Sequence, residues 1–159
     1  MESFKTILVA IDFSENSDHA FNLAVTIATA FNSRLVVLHV IDNLTFYEGG
    51  LYMSYPSIYP YSSIDTVQLG KELEEGAKAM MTKFCETRLE DFPCYASSIE
   101  TGTPFSEIIR TADETAAAMI VLGTHGRSGF GRLVFGSTAE RVVRGAHCPV
   151  LTVPLPSSG

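Results

Sequence analysis

Five glycines, two arginines and four hydroxyl side chains share one stretch, "GTHGRSGFGRLVFGST", from Gly123 to Thr138. Glycine backbones can approach a ligand closely and adopt positive φ. Ser137 and Thr138 can donate hydroxyl hydrogen bonds, while Arg127 and Arg132 add positive charge. Backbone donors, hydroxyls and cations together are what a phosphate group needs. The same composition would also serve a ligand-free surface loop or a strained turn. A second group of interest is Asp12, in "AIDFSENS". Its carboxylate could serve a ligand. Asp12 or Ser14 could instead N-cap a following helix, since Asp12-x-x-Glu15 has capping-box spacing.

Other chemistries find little support. His125 lies within the glycine-rich stretch, where a lone histidine reads as a structural hydrogen-bonding group. His19, His39 and His147 have no partners at metal-ligand spacing. No nucleophile–base pair stands out, and Cys148 before Pro149 reads as a small buried residue. Cys85, Cys94 and Cys148 are odd in number, so a reducing interior is expected rather than a disulfide scaffold. The stretch contains no GxxxxGK[ST], which excludes a Walker loop. Gly126, Gly129 and Gly131 do not make GxGxxG, and no such motif follows the first apolar run.

Groups so far apart in sequence need a fold to bring them together, and the apolar pattern supplies one. Short buried runs read as strands: Thr6–Ile11, Leu35–Ile41, the weaker Tyr95–Glu100, Met119–Gly123 and Pro149–Val153. Between them lie helix-period stripes. The first is Ala20, Leu23, Ala24, Ile27, Ala28 and Phe31, and the second Leu73, Ala77, Met80, Met81 and Phe84. A third helix opens at Pro104, with Phe105, Ile108, Ile109 and Ala112 inward. Ser137–Gly145 reads as the last, with Ala139, Val142 and Val143 inward. The order β-α-β-α-β-α-β-α-β, with strands apolar on both faces, implies an α/β fold: a five-stranded parallel open sheet, doubly wound. Such sheets bind ligands at the carboxyl ends of their strands, near the reversal of strand order. Gly123 closes a strand and Ser137 opens a helix, so the glycine-rich stretch falls there. Free N–H groups and the helix dipole would then favour an anion.

At 159 residues the chain reads as one domain, residues 1–159, able to bury its own core. Its net charge of −7 argues against nucleic acid or an anionic membrane surface as partner. Positive charge is nevertheless gathered beside the glycines: from Ile120 onward stand four arginines and only Glu140. No signal peptide or membrane-length apolar run is evident, so a cytoplasmic location is expected. One segment lacks periodicity. Asn43 to Asp65 carries five of the six tyrosines and reads as a surface loop, or as a flap or interface.

The spacing Gly123-x2-Gly126-x9-Gly136-Ser137, with "ILVAIDFSE" and "GSTAERVVRGAHCPVLTV", resembles the universal stress protein family, specifically its ATP-binding branch. The resemblance covers Phe4 to Pro154 and implies an adenine nucleotide site. Asp12 would lie near base and ribose, with Ala10 and Ile11 bordering the purine and the Val40 backbone reading the adenine edge. Leu122 would stand beside the base, and Gly123 and Gly126 by ribose and phosphates. Gly136, Ser137 and Thr138 would hold the phosphates, with Arg127 as a further contact. The ligand would be ATP, or ADP or AMP, accompanied by Mg2+ with few dedicated protein ligands.

The resemblance further implies a homodimer through Pro149–Val153 and a nucleotide-dependent regulator or chaperone-like factor acting on a protein partner, with slow or no hydrolysis. Two alternatives remain open at this point: a nucleotide hydrolase or transferase on the same fold, and a nucleotide-independent dimeric interaction module.

Overall fold

A computed structural model describes residues 4–43, 66–125 and 135–155. The Tyr-rich segment beyond Asn43, together with Gly126, Arg127, Gly129, Gly131 and Arg132, lies outside the described residues. The elements are β1 (Thr6–Ala10), α1 (Glu15–Phe31), β2 (Arg34–Asp42), α2 (Thr66–Arg88) and β3 (Tyr95–Gly102). They continue with α3 (Pro104–Glu114), β4 (Met119–Gly123), α4 (Ser137–Gly145) and β5 (Val150–Val153). All five strands run parallel in one sheet, ordered β3-β2-β1-β4-β5. The doubly wound α/β fold expected from the sequence is therefore observed.

Handedness sorts the helices. The chain steps outward from β1 to β2 to β3, then crosses back to β4 and β5. Right-handed crossovers that reverse direction must change face. Accordingly α1 and α2 cover one face, where Ala20, Phe21, Ala24, Met81 and Cys85 meet Ile7, Val9, Val37 and Val121. On the other face Ile108 and Ala112 of α3, with Ala139 and Val142 of α4, meet Leu8, Val36, Ile120 and Leu122. Burial of these central strands on both faces explains why they lack polar alternation. The reversal falls between β1 and β4, which pair directly with Ala10 opposite Leu122.

Several inward assignments need correcting. On α1, Phe21 is fully buried while Leu23 and Phe31 are exposed. The helix starts earlier than its apolar stripe, and its buried face is the narrow line Asn16, Ser17, Ala20, Phe21, Ala24 and Ala28. Phe31, in the last turn, packs instead on the ring of Phe4, with centroids 5.0 Å apart. On α2 the buried line runs Leu69, Ala77, Met81 and Cys85 and continues to Leu89 just past its end, leaving Met80 exposed. Val143 of α4 is likewise exposed, because Ala139 and Val142 already fill the contact with the sheet.

Candidate nucleotide-binding site

Two helices begin just beyond the carboxyl ends of the paired central strands: α1 after β1 and α4 after β4. At the first, Ser14 is the N-cap, its hydroxyl accepting from the Ser17 N–H at 3.2 Å. Asp12 accepts the Ser14 N–H at 3.0 Å through Oδ1, an Asx-type turn. The capping role thus belongs to Ser14, and Asp12 braces the turn that carries it. Between them Phe13 holds φ 61°, uncommon for a bulky residue. Its ring lies 4.8 Å from that of His39 and 5.9 Å from that of Phe84. His39 in turn places Nδ1 2.8 Å from the Ile11 carbonyl, fixing the strand end from behind.

At α4 the cap is Gly136, with no side-chain hydrogen bond to the helix end. The Gly136 N–H donates to the Thr124 carbonyl at 2.7 Å, so the two ends of the glycine-rich stretch are drawn together. A Cβ on Gly136 would lie 2.9 Å from that carbonyl oxygen. A Cβ on Gly123 would lie 2.6 Å from Asn16 Oδ1. Glycine at both positions is thus required by the protein's own close packing. Neither has positive φ.

Ala10, Val40 and Leu122 all belong to the cluster on the α3/α4 face, so these three predicted site residues come together on the side from which α4 rises. Ile11 does not join them. Its side chain is buried in the α1/α2 cluster, and its N–H donates to the Leu38 carbonyl at 2.8 Å. Strand alternation puts it on the opposite face from Ala10. Ser137 is exposed and Thr138 half-buried in the first turn of α4. The site therefore joins the ends of β1, β2 and β4 to an α4 N-terminus that no side chain among the described residues caps. That arrangement favours an anion held by backbone N–H groups.

Reactive side chains are few. His125 shares a hydrogen bond with Thr124 Oγ1 through Nδ1 at 2.8 Å, in keeping with a structural role. Its Nε2 is buried without a partner among the described residues. Burial pushes the Cys85 thiol up from its ordinary value. Burial and the charge of Asp113 do the same for Cys148, so neither is an activated nucleophile. Among the described residues, no group of three or more His, Cys, Asp or Glu could hold a metal ion. No helix among them is long and apolar enough to cross a membrane.

Sequence reasoning missed one residue that ties the site together. Asn16, in the first turn of α1, is buried and bonds to the end of β5 and to the His125 N–H, two residues past β4. Its only sequence signal is a polar residue beside a cap, which ordinarily faces water.

The family model described as the universal stress protein family matches residues 3–154. A universal stress protein of Methanocaldococcus jannaschii is 31% identical over 153 residues, covering 96% of this chain and 84% of that protein. The solved structure of a universal stress protein from Lactobacillus plantarum superposes with a TM-score of 0.75 at 27% identity, covering 96% of this chain and 99% of that one. Two more distant structures share the fold and contain adenine nucleotides. One is a universal stress protein in complex with cAMP, with a TM-score of 0.59 at 22% identity over 96% of this chain and 98% of that one. The other is from Archaeoglobus fulgidus in complex with dAMP, with a TM-score of 0.54 at 19% identity over 95% and 98%.

Proposed function

Since the chain belongs to the universal stress protein family, matched over residues 3–154, we propose that it binds ATP at the carboxyl edge of its sheet. In this reading the protein is a cytoplasmic regulator or chaperone-like factor of the stress response, and its nucleotide state governs engagement of a protein partner. The observation that carries the reading is the α4 N-terminus. It stands at the reversal of strand order, is capped among the described residues by Gly136 without a side-chain bond, and has an arginine-rich, glycine-rich segment leading into it. Phosphates satisfy such an end. That two relatives of the same fold hold cAMP and dAMP shows what those proteins accommodate and lends the reading support.

The backbone N–H groups of Ser137 and Thr138, with their hydroxyls, would take the phosphates. Ala10 and Leu122 would border the base from the sheet, and the Val40 backbone would read its edge. Asp12 would reach base and ribose while bracing the turn before α1. Of Ile11, only the backbone could border the ligand. Gly126 and Arg127 complete the proposed set by their place in the motif. ADP or AMP would occupy the same groups. Mg2+ would be held chiefly by the phosphates themselves, with few protein ligands. No base and nucleophile pair is aligned among the described residues, so hydrolysis would be slow or absent. A second copy would pair along β5, whose outer edge would otherwise be an open hydrogen-bonding template.

Heat denaturation of the purified protein, followed by chromatography of the supernatant, tests the reading. Released adenine nucleotide, or a calorimetric response to added ATP, is expected. Silence in both measurements would end the nucleotide assignment.

A further inference from the structure

Asn16 is 3% exposed in the first turn of α1. It has no part in the Ser14 cap and reaches instead across the strand ends. Nδ2 donates to the Val153 carbonyl at 2.9 Å, and Oδ1 accepts the His125 N–H at 2.7 Å. Both partners are backbone groups of fixed polarity, so they dictate which way the amide points. The Val153 carbonyl also accepts the Thr124 N–H at 3.0 Å. Gly123 makes room for the contact, because a Cβ there would strike Asn16. One buried amide thus meets the last residue of β4, the first residues of the glycine-rich stretch and the last residue of β5.

We propose that Asn16 is the positioning residue of the glycine-rich stretch. It fixes the start of that stretch to the end of β5, so that a displacement of either is passed to the other. In its bearing on ATP the proposal rests on the nucleotide reading above. Asn16 need not touch the ligand. Holding the His125 backbone in place beforehand removes ordering cost from the binding step, and the same bonds carry any ligand-driven shift to the β5 edge. A residue that only filled space in the α1 packing would stabilise the whole sheet alike and would favour neither end.

Residue-resolved amide exchange and ATP calorimetry on wild type, Asn16→Ala and Asn16→Asp separate these roles. In Asn16→Ala the His125 and Thr124 amides should exchange about tenfold faster, while Ile7, Leu8 and Val9 hold their rates. ATP should bind about tenfold more weakly, as loss of a positioning hydrogen bond implies. Asn16→Asp keeps the acceptor for His125 but sets a carboxylate oxygen against the Val153 carbonyl. His125 should then stay protected while Thr124 exchanges faster, and ATP affinity should follow His125.

Unchanged His125 exchange in Asn16→Ala, or acceleration of every sheet amide in step, would overturn the proposal. So would wild-type ATP affinity in Asn16→Ala. Should that variant fail to fold, the divergence of His125 from Thr124 in Asn16→Asp decides alone, and equal rates there overturn it. Should wild type bind no ATP while the exchange pattern appears, the nucleotide reading falls and the joint at Asn16 stands.

Discussion

The N-termini of α1 and α4 occupy equivalent places, each just past the carboxyl end of one of two paired parallel strands, yet they are finished differently. The α1 end is sealed by its own chain. Ser14 accepts the Ser17 N–H, Asp12 accepts the Ser14 N–H, and Glu15 and Asp18 stand in the first turn. Among the described residues the α4 end has a glycine cap without a side-chain bond, while first-turn acids are paired at both helix starts, Asp18 with Arg88 at 3.1 Å and Glu140 with Arg144 at 3.0 Å. The helix dipole favours an anion at each of these two N-termini. What decides is whether the chain supplies the anion itself. In the proposed reading, position in a parallel sheet makes a ligand site available, and the cap residue settles whether it is used.

The contrast breaks most severely at Gly123. In Gly123→Val the new Cβ would lie 2.6 Å from Asn16 Oδ1 and would force that amide away from Val153 and His125. Overpacking of this kind costs about 3 kcal/mol, and the α4 end would lose its register against β4. A urea midpoint lowered to match, with no measurable ATP binding, is the expected outcome. Wild-type stability would mean that the close approach of α1 to β4 does not exist as described.

Much of this contrast could be read from sequence, for definable reasons. Central strands buried on both faces announce themselves as unbroken apolar runs, so β1, β2 and β4 were found to within a residue or so at each end. Met119–Gly123 and Ser137–Gly145 match the observed β4 and α4. Face assignment was harder. Leu23 and Phe31 fit a helical stripe but lie outside it, because Ala20, Ala24 and Ala28 form a narrow contact face that one aromatic, Phe21, suffices to fill, while Met80 and Val143 are exposed where their neighbours Met81 and Val142 take the inward place. The family resemblance puts Ile11 beside a purine, while its parity, one residue beyond β1, turns it to the other face. Asn16 was invisible for a different reason. Its partners lie 109 and 137 residues away, and nothing local marks a polar residue for burial.

A smaller perturbation converts the open end into a sealed one. Ser137→Asp puts a carboxylate into the first turn of α4, at an exposed position. The helix should gain a few tenths of a kcal/mol, roughly 0.5, from its own dipole. At the proposed site the phosphates would then meet a like charge beside the N–H groups, weakening ATP about tenfold or more. Opposite signs for stability and affinity are the mark of a helix end reserved for a ligand. Thermal melts and calorimetry on the same sample check this, and a fall in both would reduce Ser137→Asp to ordinary damage.

The converse change, Ser14→Ala, opens the sealed end and should have the smallest effect on binding. Removing the hydroxyl leaves the Ser17 N–H without its acceptor, a loss of about 1 kcal/mol for a serine cap. Asp12 still accepts the residue-14 N–H, because that donor is backbone, so the turn keeps its shape and its negative charge. An ATP phosphate gains nothing there, since the carboxylate already stands in front of the helix end and would repel it. Stability should therefore fall while ATP affinity stays within about twofold, the scatter expected of a change that touches no ligand-binding group. A loss of affinity as large as that of Ser137→Asp would place the α1 end inside the phosphate site. The two helix starts would then act as one anion cradle, and the difference between their caps would have another cause.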